Sequence, residues 1–154
     1  PILKANISNI YREIIQESRT AQQFFQHPCQ PFRRIGIVGM GLMGGSICKG
    51  IKTKDASIEI STLNYELEDL CLAKTSGWID HVYSSIGDLI QNSELIILAS
   101  PISTIVELAE EIKFNAMHLK KLTVIDIASV KEEIVAIFEK LSSKNIEYIS
   151  THPM

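Results

Sequence analysis

The hydrophobic positions at the start of the chain recur at steps of three and four, which is the period of one helix face. These positions are Leu3, Ile7, Ile10, Tyr11, Ile14, Ala21 and Phe25. No Gly or Pro interrupts residues 3–26, whereas Pro28 and Pro31 follow directly and break the pattern. The sequence therefore predicts one amphipathic helix over residues 3–26 and a linker over residues 27–33.

From Arg34 onward, short apolar runs alternate with segments of helical period. The predicted strands are 35–38, 58–63, 95–99, 123–127 and 146–150, and residues 76–83 are ambiguous and leave room for one more short strand. The predicted helices run from a Gly-rich turn to Ile51, and then over 66–75, 104–113 and 130–141. This alternation predicts an α/β fold of the Rossmann type, a mostly parallel sheet with helices on both faces, preceded by the one amphipathic helix.

Composition narrows the class of protein. The chain has 154 residues, 45% of them hydrophobic and 21% charged, which is the balance of a globular domain. The net charge of −3 argues against nucleic acid or an anionic membrane as partner, and no apolar run reaches the roughly 20 residues of a membrane helix. Cys29, Cys48 and Cys71 form no CxxC pair. We therefore expect no disulfide framework and no metal site, and a reducing cytoplasm as the location.

The most specific local motif is GMGLMG over residues 39–44, between a predicted strand and a predicted helix. In this setting Gly39 permits a tight turn, Gly41 lets the backbone approach a pyrophosphate, and Gly44 lets the helix pack closely on the strand. Leu42 and Met43 stand where the helix begins, so their N–H groups can face the phosphates. The alternative is a Gly-rich turn with no ligand.

Asn64 stands at the end of the second strand, where dinucleotide-binding domains usually carry an acidic residue for the adenosine ribose. An amide can still bond a ribose hydroxyl, and no Arg follows that would accept a 2′-phosphate. We therefore expect NAD rather than NADP as cofactor. The alternative for Asn64 is a plain helix cap.

Ligands of open α/β sheets bind outside the carboxyl ends of the strands, so the residues after each strand are candidates. Ser100 and Pro101 follow one strand, Ser129 and Lys131 the next, and His152 the last. Each has a plainer explanation: Ser129 could cap the following helix, Lys131 could be a solvated surface charge, and His152 could be an ordinary loop histidine.

Three runs in this part of the chain resemble one family. RIGIVGMGLMGGS at residues 34–46, DIASVK at 126–131 and HPM at 152–154 are similar to segments of the prephenate and arogenate dehydrogenases, in the family's order. The resemblance implies NAD-dependent oxidative decarboxylation of prephenate to 4-hydroxyphenylpyruvate in tyrosine biosynthesis. It implies that the Gly loop with Ser100 and Pro101 holds the cofactor, that His152 accepts the hydroxyl proton, and that Ser129 fixes His152 or the hydroxyl.

The same resemblance implies that residues 34–154 are a truncated dinucleotide-binding domain. The family's helical C-terminal domain supplies most substrate carboxylate ligands and the homodimer contact, and we expect it to be missing from this chain, which begins without Met. Alone, the chain is expected to bind cofactor with little or no turnover.

The first helix has a resemblance of its own, because residues 10–22 are similar to the last helix of the all-helical chorismate mutases. Ser18 and Gln22 match that family's substrate-binding pair and lie on the apolar stripe of the helix. A mutase followed by a dehydrogenase would be a bifunctional protein. The alternative is that both polar residues simply face water.

Three other functions stay open at this stage. Arogenate could replace prephenate, since the residues that distinguish them would lie outside this chain. Another dehydrogenase of the 3-hydroxyacid type could use the same Gly loop, but it would lack the HPM segment and use a catalytic Lys from a later helix. A non-catalytic NAD-binding module would bind cofactor without activity even in the full-length protein.

Overall fold

The computed structural model describes residues 32–63, 67–116, 121–129, 132–141 and 145–151. The chain divides into two units, Pro1–Pro31 and Phe32–Met154, and all described residues belong to the second. The predicted helix over residues 3–26, including Ser18 and Gln22, lies outside the described residues. Three other candidates, Asn64, Lys131 and His152, also lie outside them.

The described strands form one parallel sheet. They are β1 Arg34–Val38, β2 Glu59–Leu63, β3 His81–Tyr83, β4 Leu95–Leu98, β5 Leu122–Asp126 and β6 Ile146–Ser150. The order across the sheet is β3-β2-β1-β4-β5-β6, and the chain changes direction of winding between β1 and β4, where Ile35 lies beside Leu95. This is the strand order of the doubly wound dinucleotide-binding fold, so the predicted Rossmann-type sheet is confirmed.

The described helices are α1 Leu42–Lys54, α2 Leu67–Thr75, α3 Ile86–Gln91, α4 Ile102–Ala116 and α5 Glu132–Leu141. Four of them match the predicted helical segments. The short helix α3 was not predicted, although Ser85 caps it by accepting a hydrogen bond from Asp88 N at 3.1 Å. None of the described helices is long and apolar enough to cross a lipid bilayer.

Alternate residues along the central strands enter two separate hydrophobic clusters. Ile37 and Ile97 pack with Cys48 of α1 and with residues of α2 on one face of the sheet. Val38 and Leu98 pack on the other face with apolar residues of α3, α4 and α5. Because successive side chains of a strand point to opposite faces, this alternation places helices on both sides of the sheet, as predicted.

A partly exposed ion pair joins α1 to the loop that precedes β3. Lys52 Nζ lies 2.7 Å from Asp80 Oδ2, and the same oxygen accepts a hydrogen bond from Ile60 N at 2.7 Å. Burial of the Asp80 carboxyl opposes ionisation, but the hydrogen bonds from Lys52 and Ile60 outweigh it and lower the pKa of Asp80. This contact ties the last turn of α1, at the end opposite the Gly loop, to β2.

Candidate functional site

The Gly loop lies where β1 ends and α1 begins, and two of its glycines are required by the protein's own packing. Gly39 has a φ of +98°, and a Cβ on it would lie 2.7 Å from the backbone nitrogen of Ser100. A Cβ on Gly44 would overlap the carbonyl oxygen of Gly39. These two positions therefore carry glycine because the loop, α1 and the end of β4 approach each other closely, as the motif predicts.

Gly41 is different, because its surroundings would accept a side chain. Its φ of −64° suits any residue, and a Cβ built there would meet no protein atom within 4 Å. Gly41 is also the N-cap of α1, where no side chain caps the helix and no acidic residue stands in the first turn. The first N–H groups of a helix need outside acceptors, so this open and uncapped terminus fits an anion that approaches the backbone.

A cleft of about 620 Å³ opens beside this loop, at the carboxyl ends of β1, β2 and β4. The described residues that line it are Gly39, Met40, Gly41, Leu63, Leu70, Ala99, Ser100, Pro101, Thr104, Glu107, Leu108 and Glu111. The cleft lies at the switch point between β1 and β4, which is where doubly wound sheets bind their ligands. Its size and mixed lining suit a small molecule of the dinucleotide class.

Ser100 carries the one buried side-chain polar atom among the described residues that has no hydrogen-bond partner, its Oγ. Buried hydroxyl groups in proteins normally have a hydrogen-bond partner, because leaving one unpaired costs free energy. Because Ser100 also lines the cleft, its hydroxyl is available to a polar group of a ligand. The unpartnered hydroxyl and the space over Gly41 together fit a dinucleotide cofactor.

The structure brings some predicted site residues together and leaves others apart. Gly39, Gly41, Ser100 and Pro101 line the cleft, and Gly44 supports the loop by its close packing. Leu42 and Met43 form the first turn of α1 with exposed side chains outside the cleft lining, so only their backbone could serve a phosphate. Among the described residues, no group of His, Cys, Asp or Glu side chains is arranged to hold a metal ion.

Ser129 is exposed and lies outside the cleft lining, after the end of β5. Three residues before Ser129 lies Asp126, the fully buried last residue of β5, which makes several hydrogen bonds. Asp126 Oδ1 accepts from Ala128 N at 3.0 Å, and Asp126 Oδ2 accepts from the Tyr148 hydroxyl at 2.5 Å. The Asp126 carbonyl accepts from Thr151 Oγ1 at 2.5 Å. Asp126 thus ties the segment leading to Ser129 to the end of β6.

Asp126 was not among the predicted site residues, although it is the first residue of the DIASVK run. The available signal was a carboxylate at the end of an otherwise apolar strand, because a buried carboxylate needs hydrogen-bond donors nearby. Tyr148 provides one of them and stacks on Phe138 with ring centroids 4.5 Å apart. Burial, together with the hydrogen bond to Asp126, raises the pKa of Tyr148, so the hydroxyl remains a donor at neutral pH.

Comparisons with known proteins agree with this geometry. Residues 47–154 match the family model described as the nucleotide-binding domain of prephenate dehydrogenase. A prephenate dehydrogenase of Lactococcus lactis subsp. cremoris is 36% identical over 125 residues, which are 79% of this chain and 34% of that protein. The chain thus spans about a third of the length of that relative.

Two solved structures share the fold. The prephenate dehydrogenase of Aquifex aeolicus, in complex with hydroxyphenyl propionate and NAD+, is 27% identical with a TM-score of 0.70, covering 80% of this chain and 42% of that one. An arogenate dehydrogenase of Synechocystis is 25% identical with a TM-score of 0.66, covering 78% and 40%.

Proposed function

This chain belongs to the prephenate dehydrogenase family through its nucleotide-binding domain, and we propose that it holds NAD for the oxidative decarboxylation of prephenate by the whole protein. The observation that carries the proposal is the Gly41 position, where open space and an uncapped helix terminus border the cleft. The Aquifex aeolicus relative was solved with NAD+, which supports the same cofactor here.

The residues of this chain would divide the work of holding the cofactor. The backbone of residues 41–43 would bind the diphosphate at the start of α1, and the Ser100 hydroxyl would bond a polar group of the nucleotide. The bound nicotinamide supplies the acceptor for a hydride. Gly39 and Gly44 lie so close to neighbouring backbone that neither accepts a side chain, and this close packing would help to position the diphosphate.

The proton chemistry is proposed for His152. Loss of carbon dioxide and a hydride from prephenate requires that the ring hydroxyl give up its proton, and imidazole is the usual acceptor near neutral pH. His152 directly follows Thr151, which Asp126 anchors to the end of β5. Ser129 would orient His152 or the substrate hydroxyl through a hydrogen bond. The substrate carboxylates would be bound by residues beyond this chain, in a full-length protein that we propose to be a cytoplasmic homodimer.

Arogenate is the second candidate substrate, because the Synechocystis arogenate dehydrogenase shares the fold at 25% identity. Family membership argues against another 3-hydroxyacid dehydrogenase. The test is the full-length protein assayed with NAD and each substrate, following the reduced cofactor. Activity with prephenate is expected. NAD binding with no turnover of either substrate would leave the non-catalytic module as the function.

A variant tests the proton acceptor. His152→Asn should lower kcat by about 10²- to 10⁴-fold, the usual contribution of a general base, while the Kd for NAD stays within about twofold. His81→Asn is the matched control, because His81 is exposed on β3 at the far edge of the sheet and should change neither quantity. Unchanged turnover in His152→Asn would remove His152 from the mechanism.

We also propose that residues 1–26 are the last helix of a chorismate mutase-like domain, joined by the linker 27–33 to the dinucleotide-binding domain. The division of the chain after Pro31 agrees with that boundary. In the full-length protein, Ser18→Ala or Gln22→Ala should lower mutase activity on chorismate and leave dehydrogenase activity unchanged. No mutase activity in the unmodified protein would contradict the fusion.

A further inference from the structure

One wall of the cleft is a single face of α4. Thr104, Glu107, Leu108 and Glu111 all line the cleft, and their spacing of three and four residues stacks them along one side of the helix. α4 begins just after Pro101, so Glu107 and Glu111 lie one and two turns further along the helix than Thr104. The two glutamates therefore line the part of the cleft that is distant from Ser100.

That part of the cleft is where the adenosine half of a dinucleotide would lie. Leu63, which also lines the cleft, is the last residue of β2, and the adenosine ribose of such cofactors is held at the end of the second strand. Leu63, Leu70 and Leu108 offer apolar surface to a base. The unpartnered Ser100 hydroxyl and the open space over Gly41 are independent signs of a ligand in the same cleft.

The charged residues that line this wall are all acidic. Glu107 and Glu111 bring two carboxylates, and the described residues that line the cleft include no Lys, Arg or His. A carboxylate can accept hydrogen bonds from a ribose hydroxyl or an exocyclic amine, which are donors, whereas it repels a phosphate.

We propose that Glu107 and Glu111 are specificity-determining residues, which favour NAD over NADP because they repel the 2′-phosphate of NADP from the α4 side of the cleft. The inference rests on the proposed function, since it needs a dinucleotide in this cleft. In dinucleotide-binding domains, an acidic residue at the end of β2 usually distinguishes NAD from NADP. This chain has Asn64 at that position, and we assign the same task to the two glutamates of α4.

The test measures the Kd for NAD and for NADP in the full-length protein by titration calorimetry. Glu107→Gln with Glu111→Gln should tighten NADP binding by about three- to fivefold and leave NAD within about twofold, as expected for partly screened charges several ångströms apart. Replacing both residues by Lys should tighten NADP further. An NADP-to-NAD affinity ratio that neither double variant changes would overturn the proposal.

Glu110→Gln and Glu110→Lys are the matched controls, because Glu110 is exposed on α4 and does not line the cleft. They make comparable changes of charge per residue and should leave the NADP-to-NAD ratio unchanged. A ratio that shifts as much in the Glu110 variants would mean that net charge alone acts, and would also overturn the proposal.

A measurement on the unmodified protein is independent of how the variants fold. Raising the salt concentration from 0.05 to about 0.5 M should narrow the gap between NADP and NAD, because salt screens exposed carboxylates. A gap that is constant over this range would contradict electrostatic discrimination. If neither dinucleotide binds at all, the proposed function fails, whereas binding of both with an unchanged ratio refutes only the role of Glu107 and Glu111.

Discussion

The fold does not require glycine at position 41, whereas binding of the diphosphate would. Gly41→Ala tests this difference directly. The new methyl group would meet no protein atom within 4 Å, and the φ of −64° is ordinary for alanine. Alanine is a poorer N-cap than glycine, which costs about 0.5–1 kcal/mol of stability. It also lowers the conformational entropy of the unfolded chain, which stabilises the fold by a similar amount. The free energy of unfolding should therefore change by less than about 1 kcal/mol.

The effect on cofactor binding should be much larger. The methyl group would occupy the space through which a diphosphate reaches the N–H groups at the start of α1. A hydrogen bond from such a group to a charged oxygen contributes roughly 1.5–3 kcal/mol, so the loss of one or two should raise the Kd for NAD by about 10- to 10⁴-fold. Calorimetric titration with NAD measures the Kd, and urea denaturation measures the free energy of unfolding.

Two other glycines complete the experiment. Gly50 of α1 also has no neighbour within 4 Å of a built Cβ, so Gly50→Ala should stabilise the helix by about 1 kcal/mol and leave NAD binding unchanged. In contrast, Gly44→Ala forces its methyl group into the Gly39 carbonyl and should destabilise the fold by about 1–3 kcal/mol or more. If Gly41→Ala binds NAD as tightly as the unmodified protein, the diphosphate does not lie at this helix terminus.

Two further predictions concern the polar contacts that frame the site. Tyr148→Phe keeps the ring stack but removes a donor from buried Asp126, and it should lower the free energy of unfolding by about 1–3 kcal/mol in urea denaturation; a cycle with Asp126→Asn that shows no coupling would contradict the contact. The pKa of Asp80 is lower in the folded state than its ordinary value of 3.8, so its stabilising effect is fully present above 3.8 and is lost as the pH falls from 3.8 through the lower pKa of the folded state. Thermal melts between pH 6 and pH 3 should show a smaller loss of Tm for Asp80→Asn than for the unmodified chain, and equal losses would refute the role of the Lys52 pair.

The central strands of the sheet could be predicted because they are buried on both faces. A parallel strand covered by helices on both sides reads as an unbroken apolar run, and LIIL at β4 and IGIV within β1 are such runs. β3 was harder to predict, since His81 and Val82 are exposed and the strand has three residues. α3 was missed because six residues give less than two turns of periodicity, although Ser85 and Asp88 form a recognisable cap.

The candidate site was predicted only as far as chain order permits. Glycines next to a strand imply a loop, and Ser100 and Pro101 follow from their position after β4. Glu107 and Glu111 could not be found in this way, because they lie within a helix whose face toward the cleft depends on how α4 packs. The role of Asp126 likewise depends on β6 lying beside β5, a pairing that the sequence of either strand does not reveal.

The position of β1 in the sheet has a consequence for the order of events on the ribosome. β1 pairs with both β2 and β4, and its partner on the β4 side is made about 60 residues later. At a synthesis rate of roughly 5–20 residues per second, β1 therefore waits about 3–12 s for β4. During that interval the apolar edge of β1 is uncovered, and Ser100 has not yet been made, so a nucleotide cannot assist the nascent chain until most of the domain has left the exit tunnel.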